Sequence, residues 1–143
     1  MLVIIIGCGR MGSMIANQLS RKGESVIIVD SNENAFESLS SDFSGFRVIG
    51  DATQVEILKQ AKLKQADLLL VVTGNDNVNM TVAQLGQRFF EVKHVIARVL
   101  YPEREPIFEQ LGIDTINPVK LAVDVLVKDI EATESEQLSK KGK

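Results

Sequence analysis

The sequence predicts an α/β fold built on a doubly wound parallel sheet, because short apolar runs alternate with helical patterns from the first residue onward. Six runs have the length of strands, and their continuous Val, Ile and Leu content suits strands covered on both faces. With 143 residues, the chain has room for one such domain. The predicted strands are Leu2–Ile6, Ser25–Asp30, Phe46–Gly50, Leu68–Val72, His94–Val99 and Asp114–Ile116.

Local signals mark several helix ends between these strands. They comprise a capping-box spacing, an N-cap residue followed by Pro, and two glycines where helix C-termini are expected. The residues are Thr53 with Glu56, Asn117 with Pro118, Gly23 and Gly112. The predicted domain covers residues 1–131, and the polar segment 132–143 is predicted to be a frayed tail or the start of a linker.

The composition argues against two classes of partner. The formal net charge is −3 and the pI is about 5.2, whereas nucleic-acid binding normally requires a basic patch. No apolar run approaches the ~20 residues that span a bilayer, so we expect no direct membrane insertion. The single cysteine, Cys8, and the absence of a secretory pattern favour a cytoplasmic location.

A glycine-rich loop directly follows the first predicted strand. Gly7, Gly9 and Gly12 form a G-x-G-x-x-G pattern, and Asp30 ends the second strand, about 20 residues further on as the dinucleotide-binding fingerprint requires. Gly7 would permit a tight turn, Gly9 would let the backbone approach a diphosphate, and Gly12 would let the helix pack closely on the strand. The helix N-terminus would supply N–H groups for the phosphates. These features predict a Rossmann-type sheet of strand order 3-2-1-4-5-6.

Side chains in and near this loop carry further expectations. Asp30 is placed to accept hydrogen bonds from ribose hydroxyls, and its charge would repel a 2′-phosphate, which favours a non-phosphorylated ribose over NADP. Arg10 is equally consistent with a phosphate contact and with a solvated surface side chain. Cys8 fits a small buried side chain better than a reactive thiol, so we assign it no redox chemistry.

Four later segments complete an ordered set of motifs. They are Gly50–Thr53, Thr73–Asn79, Ala97–Val99 and Leu111–Pro118. Together with the glycine loop they resemble the RCK domain, also called KTN or TrkA-N, which binds nucleotides and regulates potassium channels and transporters. The likeness covers Met1 to about Ile130. Within the second segment, Asn75, Asp76 and Asn79 are equally consistent with ligand contact and with stabilising the turn.

The resemblance implies a cytosolic regulatory subunit or domain that binds an adenine nucleotide, NAD/NADH or ATP/ADP/AMP, and gates a potassium channel or transporter without turnover. It also implies a homo-oligomer, either a dimer or an octameric ring, held peripherally at the inner membrane through its transporter partner.

The resemblance further implies which residues contact the nucleotide. The loop would contact the phosphates, Asp30 the ribose, and the pair Asp51–Ala52 the adenine edge. The pair Thr73–Gly74 would face the inner phosphate or a second ribose, and Arg98 would lie at the mouth of the cleft. The full set is Gly7, Cys8, Gly9, Arg10, Met11, Gly12, Asp30, Ser31, Asp51, Ala52, Thr73, Gly74, Asn75 and Arg98.

The last predicted helix, Val119–Glu131, carries too much apolar surface for one contact. Lys120, Asp124, Lys128 and Glu131 form a narrow polar stripe, and apolar residues occupy most of the remaining circumference. A helix that is apolar nearly all round is normally buried on several sides. We predict that this crossover helix is covered by a second subunit; the alternative is burial within its own domain.

The alternative function is an NAD-dependent oxidoreductase or a redox-sensing nucleotide-binding domain, since the same fold serves such proteins. The single histidine, His94, and the single tyrosine, Tyr101, are not persuasive acids or bases, and little chain remains to bind a substrate. A third alternative is a structural module that binds nothing, against which the intact glycines and Asp30 count. We therefore assign no catalytic residue and no metal ligand.

Overall fold

A computed structural model describes residues 1–142 of the chain. Six parallel strands form one sheet in the order β3-β2-β1-β4-β5-β6, as the glycine loop predicted. The strands are β1 Leu2–Ile6, β2 Ser25–Asp30, β3 Phe46–Ile49, β4 Leu68–Val71, β5 Val95–Arg98 and β6 Asp114–Ile116. The α-helices are α1 Arg10–Arg21, α2 Val55–Gln60, α3 Asp76–Gln84, α4 Glu105–Gln110 and α5 Pro118–Lys141. No helix within this part of the chain is long and apolar enough to cross a membrane.

The apolar run of β1 is continuous because each face of the sheet has its own core. Ile4 and Ile6 pack into one core with Leu58 and Phe108, while Ile5 packs into the other with neighbours that include Cys8 and Ala16. Full burial of one such aliphatic side chain contributes about 1.5–3 kcal/mol. The strand must therefore be apolar at every position, which is the pattern that predicted a parallel sheet.

Three of the four predicted helix-end signals are confirmed. Asn117 caps α5 by accepting a hydrogen bond from the backbone N–H of Lys120 at 3.1 Å. Gly23 and Gly112 follow the ends of α1 and α4 with positive φ values of 84° and 72°. Such left-handed backbone suits glycine, since a Cβ atom penalises it.

The predicted capping box at Thr53 is wrong. The helix α2 begins at Val55, and its N-cap residue, Gln54, makes no side-chain capping hydrogen bond. Thr53 instead donates its hydroxyl to Oδ1 of Asp51 at 2.7 Å, and its backbone N–H donates to the same oxygen at 2.9 Å. Asp51 therefore organises a local turn that takes up the Thr53 side chain.

The predicted tail is also wrong as far as the structure describes it. The helix α5 continues to Lys141, ten residues beyond the predicted end at Glu131. The segment 132–141 contains no Gly or Pro and is rich in Ala, Glu, Gln and Lys, so helix propensity carries the helix onward without an apolar face. Lys143, the last residue of the predicted tail, lies outside the described residues.

No residue of α5 is buried in the chain. Val119, Val123, Leu126 and Ile130 are 69%, 49%, 60% and 58% exposed. The alternative in which the helix is buried within its own domain is therefore wrong. Cover by a second subunit stays a prediction.

Candidate nucleotide-binding site

A cleft of about 640 Å³ opens at the carboxyl ends of the central strands. Open parallel sheets bind their ligands at this edge, where the order of strands reverses, which here is the point between β1 and β4. The walls are Ile6, Gly7, Gly9, Val29, Asp30, Ser31, Gly50, Asp51, Ala52, Val72, Thr73, Gly74, Asn75, Val78 and Arg98.

The three glycines of the loop serve three different purposes. Gly7 has a φ of 104°, and a Cβ atom there would lie 3.0 Å from the backbone nitrogen of Thr73. A Cβ atom on Gly12 would lie 1.8 Å from the carbonyl oxygen of Gly7, so only glycine allows α1 to pack so closely. A Cβ atom on Gly9 would meet nothing within 4 Å. The predicted tight turn and close packing are confirmed, and the space beside Gly9 is open.

The helix α1 begins at this open space without a side-chain cap. Its N-cap residue is Gly9, which has no side chain to offer, and the first backbone bond back to the loop is from Ser13 N–H to the Gly9 carbonyl at 2.9 Å. The N–H groups of Arg10, Met11 and Gly12 belong to the first turn and have no intrahelical acceptor. An uncapped helix N-terminus presents donors and partial positive charge, which together bind anions.

Asp30 faces the loop across the end of β2. Its Oδ2 accepts a hydrogen bond from the backbone N–H of Cys8, and its Oδ1 accepts one from the N–H of Asn32, both at 2.8 Å. These bonds fix the carboxylate in place and join the second strand to the glycine loop. Because each carboxylate oxygen can accept more than one hydrogen bond, acceptor capacity remains for a ligand.

Asp51 contributes a second carboxylate to the same wall. Hydrogen bonds from the side chain and then the backbone of Thr53 hold the pKa of Asp51 below its usual value, against a smaller opposing effect of burial. Both of these bonds go to Oδ1, and Oδ2 has no protein partner in the described part of the chain. Ala52 beside it is 7% exposed and gives the wall an apolar surface.

Two buried polar side chains behind the cleft hold its β4 and β5 edges together. Asn79 accepts hydrogen bonds at Oδ1 from the backbone N–H of Thr73, at 3.1 Å, and from the Thr73 hydroxyl. Its Nδ2 donates to the carbonyls of Thr73 at 3.1 Å and Arg98 at 2.9 Å. Asp76 accepts from the N–H groups of Leu100 at 2.7 Å and Tyr101 at 3.1 Å.

For two of the three residues after β4 whose role the sequence left undecided, these contacts indicate a structural role. Asp76 accepts from backbone N–H groups, and Asn79 bonds to backbone groups and to the Thr73 hydroxyl, so both are positioning residues. Asn75 caps α3 through Val78 N–H at 3.0 Å and also lines the cleft. Sequence reasoning missed the role of the Asp76 and Asn79 pair; their signal was two polar side chains at i and i+3 in a helix whose adjoining strand is fully apolar.

Arg98 brings a positive charge to the cleft wall. Its Nε is buried and has no hydrogen-bond partner. None of the ion pairs found within residues 1–142 includes Arg98. The cleft therefore offers an unpaired guanidinium on the β5 side and carboxylates on the β2 and β3 side.

Several predicted side chains lie outside the cleft walls. Cys8 is 1% exposed, and its thiol donates to the Ala35 carbonyl at 3.4 Å. Burial, followed by the charge of Asp30, raises the pKa of Cys8 to about 11 against the lowering effect of Arg47. A raised pKa is the opposite of thiol activation, and the interpretation of Cys8 as a buried side chain is confirmed. The Cys8 side chain does not line the cleft, so the prediction that it contacts the ligand is wrong for the side chain.

The remaining loop positions divide in the same way. The Met11 side chain packs against the apolar core under α1, and Gly12 packs on Gly7, so neither lines the cleft. Arg10 is exposed at the first position of α1, outside the walls. These positions can offer a ligand their backbone N–H groups, and a phosphate contact by the Arg10 side chain stays a prediction.

A second cavity, of about 700 Å³, lies at the opposite end of the sheet, beside the amino ends of β1, β2 and β3. Leu2, Ser25, Phe46 and Lys62 are among its walls. Its walls contain neither the glycine loop nor the N-terminus of an α-helix, so its larger size does not make it the ligand site. His94 also lies at the amino ends, and Tyr101 is exposed and outside the cleft walls.

The open sheet, the glycine loop, the uncapped helix and the carboxylate after β2 together define a nucleotide-binding domain of the Rossmann type. The family model for the TrkA-N domain matches residues 3–118, and the chain belongs to this family. The resemblance drawn from the five motifs is thereby confirmed.

Individual relatives agree with this assignment. The Trk system potassium uptake protein TrkA of Streptomyces coelicolor is 32% identical over 138 residues, which cover 96% of this chain and 62% of the relative. The crystal structure of the GsuK RCK domain matches with a TM-score of 0.77 and 27% identity, over 96% of this chain and 30% of that one. A GsuK channel bound to NAD matches with a TM-score of 0.78 and 27% identity, over 94% and 24%. The chain thus spans less than two thirds of each of these proteins.

The contact between Gly12 and Gly7 can be tested by stability. Gly12→Ala is expected to lower the free energy of unfolding by about 2 kcal/mol or more, because its Cβ would overlap the Gly7 carbonyl and force α1 away from the strand. Gly9→Ala is the matched control: its φ of −78° and open surroundings predict a loss of at most about 1 kcal/mol. Urea denaturation of both variants measures the difference, and equal losses would contradict the close-packing role.

Proposed function

We propose that this chain is a regulatory domain of a potassium transport system, which binds an adenine nucleotide in the cleft and communicates its presence to a membrane channel or transporter. The observation that carries the proposal is the pairing of an uncapped α1 N-terminus with the fixed Asp30 carboxylate across one open cleft. Membership of the TrkA-N family, a relative named as a potassium uptake protein and a similar channel bound to NAD support it.

The proposed pose follows from the groups on each wall. The diphosphate lies against the backbone between Gly9 and Gly12, where the space is open and the N–H groups are free of helical acceptors. Asp30, with Ser31 beside it, binds the ribose hydroxyls. The adenine lies on Ala52, and the unpaired Oδ2 of Asp51 accepts from its amino group. Thr73, Gly74 and Asn75 contact the part of the ligand beyond the diphosphate.

We propose that the domain performs no chemical turnover. The titratable side chains of the cleft walls are Asp30, Asp51 and Arg98. Asp51 has a lowered pKa, and an arginine does not exchange its proton near neutral pH. The walls contain no His, Lys, Tyr or Cys side chain to act as a general acid or base, which disfavours the oxidoreductase alternative.

The exposed apolar side of α5 is the proposed assembly surface. A second copy of the chain would cover it, giving a homodimer that either acts alone or repeats around an octameric ring. Such an assembly, in the cytoplasm and attached to its membrane partner, would convert a change at the cleft into a change of geometry at the pore. Its membrane connection would be made through the transporter, at the inner membrane.

Titration calorimetry with NAD, NADH, ATP, ADP and AMP tests the binding proposal. The unmodified protein is expected to bind at least one of them, and Asp30→Asn is expected to weaken binding about 10-fold or more, because a charged acceptor for the ribose is lost. Asp67→Asn is the matched control, since Asp67 also accepts a backbone N–H, from Leu2 at 2.7 Å, at the other end of the sheet. Absence of binding to all five nucleotides, or equal weakening in both variants, would overturn the proposal.

Light scattering after size-exclusion chromatography tests the assembly surface. The protein is expected to elute as a dimer or larger, and Leu126→Glu is expected to shift it toward the monomer, because a charge would enter the apolar contact. Lys120→Glu, on the polar stripe of the same helix, should leave the mass unchanged. A monomer at micromolar concentration for the unmodified chain would contradict this surface.

A further inference from the structure

The carboxylates of the cleft have protein hydrogen-bond donors as partners, whereas its guanidinium has no protein partner among the described residues. Asp30 and Asp51 both accept hydrogen bonds from backbone or side-chain groups. Arg98 has a buried Nε without a partner, and no ion pair within residues 1–142 reaches it. Because no carboxylate in this part of the chain neutralises the guanidinium, an anion bound in the cleft can form charge-assisted hydrogen bonds with it.

The main chain of Arg98 is held firmly on both sides. Its carbonyl accepts the hydrogen bond from Nδ2 of Asn79 at 2.9 Å, and the residue pairs with Ile116 in the parallel ladder between β5 and β6. The next residue, Val99, donates its N–H to the Ile116 carbonyl at 2.9 Å. The base of the side chain is therefore fixed at the cleft edge.

The strand order decides which part of a nucleotide meets Arg98. Asp30 ends β2, the uncapped helix starts after β1, and Arg98 ends β5, with β4 between them. A nucleotide that places its ribose on Asp30 and its first two phosphates on α1 must extend its remaining part across β4 toward β5. That part is the terminal phosphate in ATP and the nicotinamide riboside in NAD. AMP has no such part.

We propose that Arg98 makes the cleft selective for adenine nucleotides whose far end is anionic, so that it favours ATP over NAD⁺. This inference rests on the proposed function and names the ligand class of the same site. A guanidinium forms strong charge-assisted hydrogen bonds to a phosphate, often two at once. The oxidised nicotinamide ring carries a positive charge, which the guanidinium repels. ADP, whose second phosphate lies on α1, gains less from Arg98 than ATP does.

Titration calorimetry of the full chain with ATP, ADP, AMP and NAD⁺ at one fixed salt concentration tests this selection. Arg98→Gln is expected to weaken ATP binding about 10-fold or more, ADP binding less, and AMP binding by less than about 2-fold. Binding of NAD⁺ should be unchanged or tighter. Arg98→Lys should retain part of the ATP affinity, since it keeps the charge but loses the paired hydrogen bonds of the guanidinium.

Two controls separate this selection from other effects. Arg88→Gln removes an equal charge from an exposed position beyond the C-terminal end of α3, outside the cleft walls, and should leave the ATP affinity unchanged. Thermal unfolding of both glutamine variants verifies that each is folded, and if Arg98→Gln does not fold, the preference of the unmodified protein for ATP over NAD⁺ and AMP supplies the measurement.

The outcomes distinguish a failure of charge selection by Arg98 from a failure of the proposed nucleotide binding. If the unmodified protein binds NAD⁺ or AMP at least as tightly as ATP, or if Arg98→Gln weakens ATP and AMP equally, charge selection is overturned while nucleotide binding stands. If the unmodified protein binds none of the four, the proposed function fails and charge selection fails with it.

Discussion

The approach of the Gly12 backbone to the Gly7 carbonyl is the contact on which the rest of the site depends. Because position 12 has no Cβ, α1 can begin directly against the Gly7 carbonyl, just after the end of β1, and beside the Val72 side chain. A helix placed this close starts with a glycine at its N-cap and has no side chain to satisfy its first N–H groups. Gly12 therefore accounts for the close packing, and Gly9, which has no side chain to cap the helix, leaves the first N–H groups free to bind an anion.

Most polar side chains around this contact hold backbone groups in place through hydrogen bonds. Asp30 ties the second strand to the glycine loop, Asp76 ties α3 to the segment after β5, and Asn79 ties the ends of β4 and β5 together. Their hydrogen bonds bring the ends of separate strands into one rigid edge. Among the described residues of the cleft, the groups left without protein partners include the first N–H groups of α1, Oδ2 of Asp51 and Nε of Arg98. Across the sheet, the Asp51 carboxylate after β3 can accept a hydrogen bond from a base, and the N–H groups of α1 and the Arg98 guanidinium can donate to phosphates.

Much of this arrangement could be predicted from the sequence. The strands were predictable because a parallel strand covered on both faces is apolar at every position, as in Leu2–Ile6, and the loop because Gly7 and Gly12 are needed for steric reasons. The hydrogen-bond partners of side chains were not predictable where they depend on tertiary structure. Thr53 has capping-box spacing but bonds to Asp51. Asn79 is far from Arg98 in the sequence, and nothing local indicates that it holds the Arg98 carbonyl.

The extent of α5 shows a second limit. Its apolar side was predicted from residues 119–131, but composition suggested that the polar residues after Glu131 would leave the helix, whereas helix propensity continues it to Lys141. The polarity of a segment predicts whether it is buried, and its helix propensity predicts whether it is helical. The two properties diverge where a helix leaves the domain.

The central claim is that the backbone N–H groups at the start of α1 hold the diphosphate of a nucleotide. Amide chemical shifts measured by NMR during a titration with ADP test it most directly. The account predicts that the amides of Arg10, Met11 and Gly12 shift most and saturate with the binding curve. Shifts confined to the amino ends of the strands, in the cavity lined by Ser25 and Phe46, would contradict it.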